Sequence, residues 1–136
     1  MIKIFVFDTN SLISVNLTQD SVNRKAFDKA RELGIAVYSE STFTEFAAKF
    51  NHPKFDKYIS KQKRSIAIAA FEKRAQLIHV SVKVDICRDP KDNKFLELAV
   101  EAGAACIITG DKDLLVLSPF QDIPILTAGD FLKRFI

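Results

Sequence analysis

Four acidic residues, Asp8, Glu45, Asp92 and Asp111, are spaced so that a chain of alternating strands and helices would gather them in one place. Asp8 follows the apolar run Ile4-Phe5-Val6-Phe7, and Asp111 follows Ile107-Ile108-Thr109-Gly110. In an open parallel sheet, residues just past the carboxyl ends of the strands are the ones that meet a ligand. Glu45 is expected in the first turn of the helix after the second strand, and Asp92 in the first turn of the helix before the fourth, so both project toward the same edge. Four carboxylates in one cleft do not all stay ionised unaided, because each like charge raises its neighbours' pKa. A cation is therefore expected among them. His52, His79, Cys87 and Cys106 lie at no zinc-ligand spacing, and a set of hard oxygen ligands suits Mg²⁺ or Mn²⁺. Such an ion lowers the pKa of a bound water and neutralises charge developing on a phosphodiester, which is hydrolytic chemistry on a nucleic acid.

Each acid also has a purely structural reading. Thr42-Phe43-Thr44-Glu45 has the form of a capping box, and Asp92, three residues after the N-cap candidate Asp89, can complement a helix dipole. Asp8 can cap the helix that follows it, and Asp111 can be a turn residue. Four independent caps need not all fall at one sheet edge, so the joint structural reading is weaker than any single one.

The elements that must carry these acids show as an alternation along the chain. Ile2 to Phe7 is a nearly continuous apolar run, the mark of a strand buried on both faces, and it ends in the capping turn Asp8-Thr9-Asn10-Ser11. A helical pattern over Ser21 to Leu33 stops at Gly34, and Ile35 to Tyr38 is a second buried strand. Helical spacing over Thr42 to Phe50 is followed, after Asn51-His52-Pro53, by one long helix expected from Lys54 to about Gln76. Leu77 to Val84 is strand-like. Asp89-Pro90-Lys91-Asp92 opens another helix, closed by Gly103, and Ala105 to Thr109 is the fourth strand. A short helix after Gly110-Asp111-Lys112-Asp113, a last strand over Ile123 to Leu126 and a closing helix over Asp130 to Phe135 complete the pattern. The expectation is a single domain over residues 1–136 of the α/β class: a three-layer α/β/α sandwich around a parallel sheet of about four to five strands, joined by right-handed crossovers.

The bulk numbers agree with one soluble domain. A chain of 136 residues has room for a core that buries roughly two-thirds of the unfolded surface. No apolar run approaches the ~20 residues of a membrane helix, and Met1-Ile2-Lys3-Ile4 lacks the charged start of a signal peptide, so the protein is expected in the cytoplasm. Two cysteines are too few to staple a chain of this size and fit a reducing compartment. The net charge of +3 conceals 20 basic and 17 acidic residues that are unevenly spread.

Four motifs in this order, Phe7-Asp8-Thr9-Asn10, the lone Glu45, Cys87-Arg88-Asp89-Pro90-Lys91-Asp92-Asn93 and Thr109-Gly110-Asp111-Lys112-Asp113-Leu114-Leu115, resemble the PIN-domain family over essentially the whole chain. The sequence is most similar to a bacterial and archaeal group of toxins from toxin–antitoxin systems, also around Pro53-Lys54-Phe55 and Thr127 to Leu132. The resemblance implies that Asp8, Glu45, Asp92 and Asp111 are the acidic metal-binding set, with Asn10 and Thr109 as supporting polar groups. Asp113 either reaches a second metal or caps the short helix. It further implies metal-assisted hydrolysis of single-stranded RNA, a homodimer, and a protein antitoxin that blocks the cleft.

Lys54, Lys57, Lys61 and Arg64, three, four and three apart, are expected on one face of the long helix, either as a track for RNA phosphates or as a solvated face. Arg88 beside the acids is expected to form an ion pair with one of them or to hold a phosphate. The Phe residues fall at core spacing rather than as stacking platforms. Two rivals remain. A haloacid-dehalogenase-type phosphatase also has an Asp after its first strand but needs a second Asp two positions on, where this chain has Asn10. The other is a non-catalytic domain that binds RNA or a protein partner.

Overall fold

Strand β1 (Lys3–Phe7) is buried on both faces, with Phe5 and Phe7 entering one core and Val6 the other. The computed structural model that shows this describes residues 2–18 and 20–135. The same alternation recurs in the neighbouring strands β2 (Gly34–Tyr38) and β4 (Cys106–Ile108). There Ala36, Cys106 and Ile108 face the first core, and Val37 and Ile107 the second. With the short strands β3 (Gln76–Leu77) and β5 (Ile125–Leu126) they form one parallel sheet in the order β3-β2-β1-β4-β5. Sequence order reverses between β1 and β4, where an open parallel sheet leaves a crevice at its carboxyl edge.

Helices cover both faces. Helices α1 (Thr9–Leu17), α2 (Val22–Leu33), α3 (Glu40–Phe50) and α7 (Ala128–Arg134) pack on the Phe5/Phe7 side, joined by the partly buried face of α4 (Lys61–Arg74). Helices α5 (Asn93–Ala102) and α6 (Lys112–Leu115) cover the Val6 side. The three-layer α/β/α expectation with a parallel sheet therefore holds. Gly34, which ends α2 and begins β2, is required by space, since a Cβ there would stand 1.8 Å from the carbonyl oxygen of Lys3. Gly103 ends α5 at φ 64, the left-handed region in which glycine is least strained.

Four elements differ from expectation. First, Thr9–Leu17 is a full helix rather than a turn. Its residues favour turns and strands and show no apolar stripe, so it forms through the Asp8 cap and the burial of Leu12, Ile13 and Val15. Second, α3 starts earlier than expected. Ser39 is its N-cap and Thr42 completes the capping box, so Glu45 lies in the second turn and caps nothing.

Third, the long helix from Lys54 is broken. A 3-10 turn over Pro53–Phe55 leads to an irregular stretch, and Ser60 caps α4 afresh through the backbone N–H of Lys63. Fourth, the strand over Leu77 to Val84 stops at Leu77. Beyond it, residues one helical face apart on α5 satisfy the backbone: Glu101 accepts from Ser81 and Val82, Glu97 from Val84, and Asn93 from Ile86 and Cys87. Those N–H groups need no neighbouring strand.

Candidate active site

The pairing of Phe7 with Ile108 brings the residues after β1 and β4 level. Asp8, only 5% exposed, accepts the backbone N–H of Ser11 on Oδ1 at 2.9 Å and the hydroxyl of Thr109 on Oδ2. The same Thr109 oxygen accepts the backbone N–H of Asp111 at 2.9 Å, so one buried hydroxyl joins the two strand-end acids. Asp111 in turn caps α6 by accepting the backbone N–H of Asp113 at 2.9 Å. The capping reading of Asp8 is thus correct; Asp111, expected as a possible turn residue, is instead the N-cap of α6, and both acids stay at the sheet edge.

Glu45 reaches the same edge from α3. Its carboxylate accepts the hydroxyl of Thr9 and, at 2.9 Å, the Nζ of Lys94, with Lys49 3.8 Å away. Burial works to raise its pKa, but these hydrogen bonds and the two ammonium charges outweigh that and hold it below the usual carboxylate range. Asp92 ends the 3-10 turn Pro90–Asp92 and makes no side-chain cap on α5. Its pKa is pushed up to about 6, first by burial, then by the charges of Asp111 and Asp89, a hydrogen bond with Asp111 and the charge of Glu45. Asp92 therefore senses Asp111 and Glu45, while Asp8 is joined to Asp111 through the Thr109 hydroxyl. Among the described residues, however, no three acidic, His or Cys side chains converge into a ready-made chelating set.

The crowding at Asp92 has a measurable consequence. In the folded chain its carboxyl keeps a proton up to about pH 6, against an ordinary 3.8, so the folded state binds more protons than the unfolded state between those values. Stability is then expected to fall as pH rises through that window and to stay lower above it. The full shift corresponds to about 3 kcal/mol, which partial exposure screens to on the order of 1 kcal/mol. In EDTA, Asp92→Asn is expected to melt a few degrees above the wild type at pH 7 and to lose that advantage near pH 4. A melting difference that does not change with pH would show that Asp92 is not crowded.

Residues 5–113 match the family model described as PIN domain. The chain belongs to the PIN-domain family. A relative, the uncharacterised protein MJ1680 of Methanocaldococcus jannaschii, is 38% identical over 114 residues, which cover 82% of this PIN domain's chain and 73% of the relative. Among solved structures, PAE2754 from Pyrobaculum aerophilum superposes with a TM-score of 0.65 at 13% identity, covering 98% of this chain and 89% of that one. VapBC2 from Rickettsia felis, solved bound to a DNA fragment from its promoter, gives 0.62 at 12% identity over 90% and 96%. VapC20 of Mycobacterium tuberculosis, a Sarcin-Ricin loop cleaving toxin, gives 0.53 at 14% over 90% and 99%. At such identities these likenesses show a shared fold.

Around the acids of the PIN domain, Asn10 is exposed on α1, and Asp113 lies in the first turn of α6, where its charge complements the helix dipole. Arg88 is exposed and forms no salt bridge among the described residues; the cations that pair with the cluster are Lys94 and, further off, Lys49, both on Glu45. Thr9 and Lys94 were not singled out from sequence, although each stands within two residues of a selected acid. The Cys87 thiol, pushed up to about 11 by burial and by Asp92 and Asp111, stays protonated and is no nucleophile.

The basic stripe needs correction. Arg64 is 0% exposed, and its guanidinium donates to the carbonyls of Phe50 and His52 and to the Asp56 carboxylate, so it is a structural anchor and not an RNA contact. Lys54 and Lys57 precede α4 and share no helix face with Lys61. Lys57 and Lys61 are exposed. Phe46, Phe50 and Phe95 are buried and Phe43, Phe55 and Phe71 pack against the core, as the sequence predicts.

Proposed function

We propose that this PIN domain is a metal-dependent endoribonuclease for single-stranded RNA, acting in the cytoplasm as the toxin of a toxin–antitoxin pair. The observation that supports the reading is the link of Asp8 and Asp111 through Thr109 at the switch point of the sheet, with Glu45 bound to Thr9 beside it and Asp92 pressed by the charges of Asp111 and Glu45. Asp8, Asp92 and Asp111 are the residues that would hold a Mg²⁺ or Mn²⁺ ion, because all are hard oxygen donors and a cation would offset the burial and the Asp111 charge that push Asp92 up to about 6. When bound, the ion supplies a water of lowered pKa and neutralises the charge that develops on the phosphodiester. Thr109 fixes the Asp8 carboxylate by donating to it and so orients it for the cleft. Thr9 and Lys94 do the same for Glu45. Asn10 and Asp113 stand beside the cleft as supporting polar groups.

Lys57 and Lys61 are exposed cations suited to RNA phosphates. Replacing both with Gln is expected to weaken binding and to flatten the log-affinity against log-salt slope by about 1.4, at ~0.7 per contact with a single strand. An unchanged slope would return them to the solvated surface. The fold shared with VapBC2 and with the VapC20 toxin supports extending the reading to a protein antitoxin as partner, and the motif resemblance adds a homodimer. No helix among the described residues is long and apolar enough to cross a membrane. A haloacid-dehalogenase-type phosphatase is set aside by the family and by Asn10, exposed where the second Asp would be needed.

The test is a comparison of substrates. Labelled single-stranded RNA, duplex RNA and single-stranded DNA are incubated with the protein in Mn²⁺ or Mg²⁺. Internal cuts in the single-stranded RNA are expected. Binding without cuts in any substrate would favour a non-catalytic RNA-binding domain.

A further inference from the structure

Away from the acids, an open cleft of about 500 Å³ lies between the C-terminal end of α1 and the irregular stretch that leads into α4. That volume falls within the roughly 300 to 1,000 Å³ of pockets that take small-molecule ligands, so it has room for one nucleotide. Leu17, in its wall, stands at the far end of α1 from Asp8, roughly 14 Å along the helix at about 1.5 Å per residue. The cleft is therefore separate from the acids but within reach of the same strand.

Tyr58 decides what this cleft can take. It is 64% exposed, and it is aromatic where the other exposed large hydrophobic residues are aliphatic. The Nζ of Lys57 stands 5.1 Å from its ring centroid, within cation–π reach. Lys63, also in the wall, is exposed in the first turn of α4, where it and Lys61 oppose the helix dipole with no acid in that turn to offset them. Stability alone would favour acids there. Asp56, the acid of the wall, is taken by the Arg64 guanidinium, and Arg24 is paired with Asp28 at 3.3 Å. Lys57 and Lys63 make no salt bridge among the described residues, which leaves their charge to an outside anion. An open aromatic ring beside two such ammonium groups matches a nucleobase and its flanking phosphates, since bases stack on aromatic side chains while the backbone follows the cations. Duplex RNA, read by its shape and backbone, offers no unstacked base.

We infer that this cleft is an RNA subsite apart from the acids: one base of a single strand stacks on the Tyr58 ring, and the neighbouring phosphates meet Lys57 and Lys63. The inference rests on the nuclease reading above for single-stranded RNA as the substrate, and it adds an anchor that holds the strand outside the cutting site. A merely solvated tyrosine would not sense RNA, so contact between the ring and a base is the decisive readout.

The experiment is a titration of the full chain in EDTA with a short single-stranded RNA and with its duplex. The chain has two tyrosines and no tryptophan, so in a Tyr38→Phe background the intrinsic fluorescence comes from Tyr58 alone. Single-stranded RNA is expected to quench it, and the duplex to leave it nearly unchanged. Tyr58→Ala is expected to weaken single-strand binding by about 5- to 150-fold, the loss of one stacked base, with the salt slope and the duplex affinity kept. Tyr58→Phe keeps the ring and is expected to bind like the wild type, whereas Lys63→Gln is expected to flatten the slope by about 0.7. A Tyr58 that is not quenched, or a Tyr58→Ala that binds the single strand as tightly as the wild type, would overturn the inference even if the RNA is cut when Mn²⁺ is supplied. Quenching by an RNA that Mn²⁺ never causes to be cut would uphold the inference and overturn the nuclease reading. A wild type that binds no single-stranded RNA would overturn both.

Discussion

Asp8→Asn and Asp111→Asn are each expected to lower the rate of RNA cleavage by roughly 100- to 1,000-fold or more, with little change in melting temperature. The size follows from removing a charged ligand at the place where charge develops in the transition state, an effect of several kcal/mol. The small structural cost follows from the geometry. Asn is as good an N-cap as Asp, so the backbone N–H groups of Ser11 and Asp113 keep their acceptors. In Asp8→Asn the new amide would face the Thr109 hydroxyl, which can accept where it now donates, although it already accepts from Asp111. The cost should therefore stay near 1 kcal/mol. Cleavage kinetics and thermal melting on the same samples check both halves. Near-wild-type cleavage by either variant would remove that acid from the site.

Arg64→Ala is expected to do the reverse, losing about 2 to 4 kcal/mol of stability and melting on the order of 10 °C lower. The guanidinium ties the C-terminal end of α3, through the carbonyls of Phe50 and His52, to Asp56 in the irregular stretch before α4. Its removal strands those carbonyls and opens a cavity beside Phe50, which is itself 0% exposed. Asp56 is half exposed and finds water, so the loss stays below that of a fully buried pair. Chemical denaturation measures it. If Arg64→Ala unfolds like the wild type and binds RNA more weakly, Arg64 belongs to an RNA track after all.

What the sequence made legible was what local pattern controls. The unbroken run through Phe5, Val6 and Phe7 can serve only a strand buried on both faces, and that alone fixed a parallel sheet and put Asp8 at its edge. Asp111 followed by the same rule after Ile107 and Ile108. The basic stripe failed because Ser60 restarts the helix and because Arg64 finds its carboxylate on Asp56, a pairing across a break that helical periodicity does not register. Glu45 was ambiguous because Thr42-Phe43-Thr44-Glu45 spells a capping box; in the fold the buried Ser39 and Thr42 cap α3 instead and leave Glu45 without that role. The ion pair expected of Arg88 beside the acids is made instead by Lys94, which reaches Glu45 only once α3 and α5 are folded together. The loss of the expected third strand beyond Leu77 has a similar origin, since Glu97 and Glu101 claim its backbone from a helix further along the chain.

The central claim is that these acids work through a divalent ion, and its most direct measurement is the rate of single-stranded RNA cleavage by one wild-type sample carried through metal removal and return. Cleavage is expected to cease in EDTA and to recover when Mn²⁺ or Mg²⁺ is restored in excess, while Asp111→Asn stays inactive throughout. Cleavage that continues undiminished in EDTA, or that returns equally in Asp111→Asn, would contradict it.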